Sequence, residues 1–289
     1  MKRNISLYIT IMMLAACGCS KTGSVSETDG MMKFSPSLPG ATKASDSAFE
    51  NGDEIGIFVV TYDNGASSPL QLSGNWANNA KASFSGTSWT VSPTIWWKSE
   101  DSRYDVFAYC PYDPDMKSVD DYIFEVSADQ TGEGFTRSDL LWARTSGIER
   151  SSDAVPLNFR HKLSRLDVNL VKGEDYEGDL PETAEVRLMN TVTSATMNLE
   201  TGDIEKYPYG KEKTIIARKT GTGKYSAITV PQKLLNQVPL VEIIVNNISY
   251  LVSSRFIFES GVRHTLNVTL TSDPNKVIIN IGGNIENWN

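Results

Sequence analysis

The chain has 289 residues, enough for about two domains of ordinary size, each with its own hydrophobic core. It carries 27 basic and 35 acidic residues, and the resulting net charge of -8 disfavours nucleic acid and anionic lipid surfaces as partners. Of its three cysteines only Cys110 lies beyond the first 20 residues. An intramolecular disulfide in the body of the protein is therefore excluded, and we expect Cys110 to be a small buried hydrophobe.

The N-terminal segment has the pattern of a secretory signal that ends at a cysteine. A basic start is followed by the apolar run Ile5–Met13, and Leu14–Ala16 then precedes Cys17. This pattern predicts a lipoprotein signal peptide over residues 1–16 and an acyl anchor on Cys17. Cys19 is the alternative acceptor, and an ordinary cleaved signal is a second alternative. The apolar run is too short to span a bilayer, which needs about 20 residues.

Residues 17–31 are polar and rich in Gly, Ser and Thr, which is typical of a flexible tether. Beyond them, short alternating runs bounded by Gly, Asn, Asp and Pro dominate, so we predict an all-β body. Glu54–Tyr62 is apolar on both faces and predicts a central strand covered on both sides. Tyr104–Cys110 predicts another strand, and we expect one ring of the pair Trp96-Trp97 to face inward. Further strands of the first half are predicted at Lys81–Val91, Tyr122–Val126 and Leu140–Ala143.

A change in the phase of alternation marks the predicted junction of two domains. Leu157–Leu163 keeps one phase of a period-2 pattern, and Leu166–Leu170 keeps the opposite phase. A slip at Ser164-Arg165 predicts a bulge, or the end of one strand and the start of another, with a short helical turn as the alternative. We place the boundary near Arg160, which gives domains at 32–160 and 161–289.

The second half shows the same pattern of short alternating runs bounded by turn residues. Pro239–Val245 and Ile248–Val252 form the clearest hairpin, because the intervening Asn246-Asn247 tolerates the left-handed backbone that a two-residue turn requires. His264–Leu270 alternates cleanly. Other strands are predicted at Ala184–Met189, Met197–Glu200, Thr214–Ala217, Tyr225–Val230 and Val277–Ile281. About seven strands in each half predict two antiparallel β-sandwiches in tandem.

The sequence offers few residues for catalysis or metal binding. His161 and His264 fall in phase with buried neighbours, so we predict core histidines rather than general bases. Two histidines and one body cysteine cannot supply a usual zinc site, and no nucleophile elbow is present. Asp113 and Asp115 leave open a weak calcium site, although a solvated loop is favoured. We expect no enzyme activity, no metal and no cofactor.

Several short segments, taken in order behind the signal, resemble the Bacteroidales fimbrillin family of lipoprotein pilins and Mfa-like surface proteins. They span nearly the whole body: Met32–Phe34, Ala41–Ala44, Phe49–Phe58, Tyr104–Tyr109, Asp139–Ala143, Val155–Leu163, Val230–Gln232 and Gly261–Leu266. The resemblance implies two transthyretin-like β-sandwich domains and an outer-membrane lipoprotein at the cell surface, with palmitate on its cysteine. It also implies assembly with other fimbrial subunits as a stalk, tip or anchor that supports adhesion.

The resemblance also implies a maturation site. In polymerising relatives a trypsin-like protease cuts after a basic residue, and a strand from a neighbouring subunit fills the groove that the first strand vacates. The matching position here is Lys43, with cleavage before Ala44. Val277–Ile281 is the best donor by pattern, with an intramolecular edge strand as the alternative, and we expect no long donor extension after Trp288. Host or bacterial surface glycans or proteins are further expected partners, and a surface-tethered glycan-binding lipoprotein that uses Trp76 or Trp96 is the alternative function.

Overall fold

The structure, a computed structural model, describes residues 30–38, 48–99, 102–180, 182–273, 278–280 and 286–288. Its strands all lie in the compact unit Met31–Asn289. The strands of the first half are β1 (Phe34–Ser37), β2 (Glu54–Asp63), β3 (Ala66–Ser67), β4 (Ala77–Phe84), β5 (Trp89–Ser92), β6 (Tyr104–Cys110), β7 (Tyr122–Glu125), β8 (Leu141–Ile148), β9 (Val155–Asn158) and β10 (Arg160–His161). The one helix among the described residues is α1 (Glu133–Arg137).

The strands of the second half are β11 (Ser164–Lys172), β12 (Glu185–Val192), β13 (Ser194–Met197), β14 (Ile204–Lys206), β15 (Glu212–Ile216), β16 (Arg218–Gly221), β17 (Lys224–Thr229), β18 (Gln232–Val245), β19 (Ile248–Phe258), β20 (Val262–Leu270), β21 (Ile278–Asn280) and β22 (Glu286–Asn287). The all-β prediction is therefore confirmed. The break between β10 and β11 falls at the predicted phase slip, and β11 is a strand rather than a helical turn.

The main sheet of the first half has the strand order β10-β8-β6-β2-β4-β5, with β3 paired to β2. The strand β2 lies inside this sheet, as predicted from its two apolar faces. Ile57 on one face and Phe58 on the other are both fully buried. Side chains of successive residues point to opposite faces of a strand, so this sheet has a hydrophobic core on each side.

The second half contains two larger sheets. One has the order β16-β17-β11-β20-β21, with β22 paired to β20, and the other has the order β15-β12-β18-β19. A three-stranded sheet, β14-β13-β7, joins a strand of the first half to two of the second. Most pairs are antiparallel, but β1 with β9 and β11 with β20 are parallel, which corrects the expectation of purely antiparallel sheets.

Two groups of buried side chains form the hydrophobic core. The first group lies between the main sheet and β1 and contains Met32, Ile57 and Leu157. The second group covers the opposite face of the main sheet at Phe58 and continues into the second half as far as Leu270. The two halves of the chain therefore share buried surface.

Candidate functional site

Residues 31–37, which come shortly before the predicted maturation site, are hydrogen-bonded to two different parts of the first half. Met31 forms an antiparallel bridge with Trp96, and the Met32 amide donates a hydrogen bond of 2.8 Å to the carbonyl oxygen of Ile95. Further along, β1 pairs in parallel with β9 over the whole of Phe34–Ser37. A strand close to the predicted maturation site is therefore an integral part of the fold.

Two side chains of this segment fill the core beneath it. Met32 is 2% exposed and Phe34 is 9% exposed, and both pack in the group that contains Ile57, Val106 and Leu157. Burial of two such side chains stabilises the fold by about 3–6 kcal/mol before entropy costs. Removal of β1 would open an apolar groove and would leave the backbone groups of β9 that face it without partners.

The predicted cleavage residues Lys43 and Ala44 lie outside the described residues. The flanking residues Leu38 and Phe49 line one cavity of about 370 Å³. The Phe49 ring also makes edge contacts with Phe159, at 5.5 Å between ring centres. The described residues on either side of the predicted cleavage site therefore lie beside the same cavity.

The predicted lipid acceptors Cys17 and Cys19, the signal and nearly all of the tether also lie outside the described residues. Within the described part of the chain, the search for long apolar helices finds none that could cross a bilayer.

Both histidines are buried, as predicted. His161 is 3% exposed, its Nδ1 lies 2.8 Å from a carboxylate oxygen of Asp139, and its ring stacks on Trp288 at 4.0 Å between centres. His264 is 6% exposed, and desolvation by burial lowers its pKa. An imidazole does lie beside a carboxylate, and Asp139 lines the cavity of about 370 Å³. His161 itself, with the indole of Trp288 stacked on its ring, is not among the described residues that line this cavity.

The other candidates for chemistry, Cys110, Asp113 and Asp115, have surroundings that indicate structural roles. Burial raises the pKa of the Cys110 thiol, which makes it a poor nucleophile. The carboxylate of Asp113 accepts a hydrogen bond of 2.8 Å from the Asp115 amide, which orders that loop. Among the residues that the structure describes, no group of three or more His, Cys, Asp or Glu residues is arranged to hold a metal ion.

The tryptophans divide as predicted for an adjacent pair. Trp97 is 9% exposed and packs in the core, whereas Trp96 is 47% exposed. Trp76, 40% exposed, lies beside Trp96 and donates its indole N–H to the Trp96 carbonyl oxygen at 2.7 Å. This bond satisfies the polar edge of Trp76, and Lys98 Nζ lies over the Trp76 ring at 5.8 Å from its centre.

The folded chain also brings together a group of basic side chains that the sequence patterns did not indicate. Arg165 on β11, Arg218 and Lys219 on β16, Lys224 on β17 and Arg263 on β20 line one cleft. Arg218, Lys219 and Lys224 belong to the consecutive strands β16 and β17. Arg165 and Arg263 are distant in sequence and join them only in the folded sheet, so no single motif connects the group.

The fold defines an all-β protein whose N-terminal strand is buried in the core, and comparison with known proteins identifies its family. A profile of the fimbrillin-like family matches residues 42–288. A protein of Bacteroides uniformis named as a candidate fimbrium subunit, Fim1C, is 27% identical over 240 residues, which cover 80% of this chain and 76% of that protein. The chain belongs to the fimbrillin-like family.

Two solved structures share the fold. A candidate cell adhesion protein of Bacteroides uniformis superposes with a TM-score of 0.66 at 22% identity, covering 91% of this chain and 99% of that one. A candidate cell adhesion protein of Bacteroides ovatus superposes with a TM-score of 0.70 at 19% identity, covering 89% of this chain and 97% of that one. Both superpositions cover nearly the whole of this chain and of the structure it is compared with.

Proposed function

We propose that the protein is a structural or accessory subunit of cell-surface fimbriae, exported as an outer-membrane lipoprotein and anchored through Cys17, with Cys19 as the alternative acceptor. The observation that carries the proposal is the position of β1. Phe34 of this strand and Met32 just before it fill a core groove, and the predicted cleavage site between Lys43 and Ala44 comes shortly after the strand in the sequence. Family membership and the fimbrial name of the relative Fim1C support the same role.

Assembly would follow from exchange of that strand. Cleavage between Lys43 and Ala44 would release β1, and a strand of another fimbrial subunit would take its place. Such a strand would bury apolar side chains in the groove and satisfy the backbone groups of β9. The segment predicted as a donor contains β21, which pairs antiparallel with β20 of its own chain. This pairing favours the reading of Val277–Ile281 as an intramolecular edge strand.

We further propose two transthyretin-like sandwiches in tandem, at 32–160 and 161–289. The division of the three larger sheets supports a boundary close to Arg160, although the short strand β10 and the small sheet β14-β13-β7 both cross it. Every strand of the main sheet lies within Glu54–His161, and the two larger sheets of the second half begin at Ser164.

Limited trypsin digestion of the purified full chain tests the assembly proposal. We expect a product that begins at Ala44 and a ladder of oligomers on a native gel. Lys43→Ala should remain uncut at this position and should not ladder. Lys117→Ala, at a side chain that is 85% exposed elsewhere on the surface, is the matched control and should behave as wild type.

A labelled peptide of residues 31–38 separates the possible roles. The trimmed protein should bind this peptide, and the uncut precursor should not. A trimmed protein that binds the peptide but forms no ladder would be a tip or anchor subunit. A trimmed protein that keeps β1 in place and never binds the peptide would contradict strand exchange.

A second candidate function is glycan binding, and the exposure of Trp96 and Trp76 is the observation that favours it. Exposed indole faces are suited to stacking on sugar rings, because they offer a large apolar surface at low entropy cost. Trp96→Ala should then abolish binding on a glycan array. Tyr209→Ala, at an aromatic residue that is 83% exposed elsewhere, should leave that binding unchanged.

A further inference from the structure

One face of the six-stranded sheet of the second half carries a cleft of about 720 Å³. Along β11, Leu166, Val168 and Leu170 point into the core. The alternate residues Arg165 and Asp167 point to the opposite face and line the cleft. The cleft is therefore a consequence of the period-2 pattern of this strand.

The charge of the cleft opposes the charge of the chain. Its walls carry the five basic side chains Arg165, Arg218, Lys219, Lys224 and Arg263. Among the described side chains that line it, Asp167 is the single carboxylate. A chain of net charge -8 thus concentrates positive charge at one place, and the mutual repulsion of these groups would be relieved by a bound anion.

Asp167 fixes two of the cations. Its carboxylate accepts hydrogen bonds from Arg165 Nε at 2.9 Å, from Arg263 Nε at 2.6 Å and from the Ser226 hydroxyl at 2.6 Å. Desolvation acts to raise the pKa of Asp167, but the charge of Arg165 and these hydrogen bonds outweigh it and lower the pKa. The ionised carboxylate therefore holds two guanidinium groups in place on the floor of the cleft.

The remaining cations differ in their partners. Lys219 Nζ pairs with Glu182 at 2.7 Å. The guanidinium of Arg218 lies over the ring of Phe135 at 5.3 Å, a contact that orients it without neutralising its charge. Neither Arg218 nor Lys224 forms an ion pair with a carboxylate in the described part of the chain. These two side chains therefore offer charge to a ligand.

The walls favour a hydrophilic ligand over a protein. The stable core of a protein interface is largely apolar, but this cleft presents little apolar surface. Its one aromatic residue, Tyr225, is 2% exposed and donates its hydroxyl to the carbonyl oxygen of Ala184 at 2.8 Å. The other neutral side chains that line the cleft, Asn169 and Thr265 among them, are suited to hydrogen bonds with hydroxyl groups.

We propose that this cleft binds an acidic polysaccharide, with the carboxylate or sulfate groups of the ligand paired to Arg218 and Lys224. Hydroxyl groups of the same chain would hydrogen-bond to the amide and hydroxyl side chains of the walls. The site is formed within the second half, so it does not depend on removal of β1 or on assembly. It differs from the aromatic surface at Trp76 and Trp96, which carries no such concentration of charge.

Dextran sulfate, compared with neutral dextran of the same length, is the probe for this site. We expect the uncut full-length protein to bind dextran sulfate by calorimetry at 50 mM salt, to bind it more weakly at 200 mM salt, and not to bind neutral dextran. The double variant Arg218→Ala/Lys224→Ala should weaken binding at least about tenfold, since each lost charge contact removes part of the electrostatic attraction.

The double variant Lys117→Ala/Lys211→Ala removes the same charge at two exposed lysines that do not line the cleft, and it should bind as wild type. Lys224→Gln alone, at an exposed strand position, repeats the comparison if the cleft double variant folds poorly. Equal losses in the two double variants would show a general charge effect and overturn the proposal. Self-association that depends on Arg218 and Lys224 while dextran sulfate binding does not would make the cleft a protein contact, which would also overturn it.

Discussion

Asp105 brings a carboxylate onto the face of the main sheet that also carries Phe107, where it is only 1% exposed. It accepts hydrogen bonds from Arg144 Nη2 at 2.8 Å, from the Gly147 amide at 2.8 Å and from the Tyr62 hydroxyl at 3.0 Å. Burial acts to raise the pKa of Asp105, but these three hydrogen bonds outweigh it and the pKa is lowered. The charge is therefore compensated within the fold.

Asp105→Asn should lower the free energy of unfolding by about 2–3 kcal/mol at pH 7, because Arg144 loses its charged partner. A carboxyl group whose pKa is lowered on folding stabilises the protein above its unfolded pKa of about 3.9, and this contribution is lost as the pH falls through the folded pKa. Urea denaturation at pH 7 and at about pH 3 should therefore show the gap between wild type and variant closing at the lower pH.

Asp115→Asn is the matched control for that experiment, since the Asp115 side chain is 88% exposed. It should change the free energy of unfolding by less than about 0.5 kcal/mol. A gap for Asp105→Asn that keeps its size at low pH would show that packing, rather than charge, accounts for the loss.

At the scale of single elements, local sequence patterns predict a strand well when its bounds are set by residues close in sequence. The strand Tyr104–Cys110 was predicted with the bounds that the structure shows, because its apolar pattern and the following Pro111 are local signals. The hairpin of β18 and β19 was also found, but both strands are longer than predicted. Register shifts between Leu234 and Val238 and between Pro239 and Val241 interrupt the alternation that the prediction relied on.

Long-range pairing was not predictable from such patterns. For the pair β1 and β9, nothing in either segment indicates that the two run parallel to each other, because they are far apart in sequence. The short helix α1 was missed because five residues are too few for a helical period to stand out. The basic cleft was missed for the same reason as the parallel pairs, since Arg165 and Arg263 meet the hairpin of β16 and β17 only through the order of strands in the folded sheet.

The turn Asn246-Asn247 gives a test at this scale. Both residues have positive φ, 49° and 64°, and they connect Val245 directly to Ile248. Asn247→Ala should lower the free energy of unfolding by about 1 kcal/mol, because an alanine pays the full steric cost of the left-handed region. Asn247→Gly pays no such cost and should equal or exceed wild type in a urea denaturation series. If the glycine variant were as unstable as the alanine variant, the loss of stability would come from the missing asparagine side chain and not from backbone strain.

At the scale of the whole molecule, the two halves are connected through buried side chains. Phe58 and Phe107 of the main sheet belong to the same core group as Leu166 and Leu266 of the second half. Trp142 of the first half also donates its indole N–H to the Leu199 carbonyl oxygen at 2.7 Å. A substitution that removes packing in the second half should therefore also lower the stability of the first half.

Tryptophan fluorescence can measure this coupling, because five of the six tryptophans lie within residues 76–142 and the sixth is Trp288. Because Trp142 contacts Leu199 of the second half, the background is Trp142→Phe/Trp288→Phe. In this background the four remaining tryptophans report on the first half, whereas far-ultraviolet circular dichroism reports on both halves. Leu266→Ala removes a fully buried side chain from the second half and should cost about 2–5 kcal/mol. If the halves unfold together, both signals should shift to the same lower denaturant midpoint. A fluorescence midpoint that stays in place while circular dichroism reveals an earlier transition would show instead that each half unfolds independently, despite the buried surface they share.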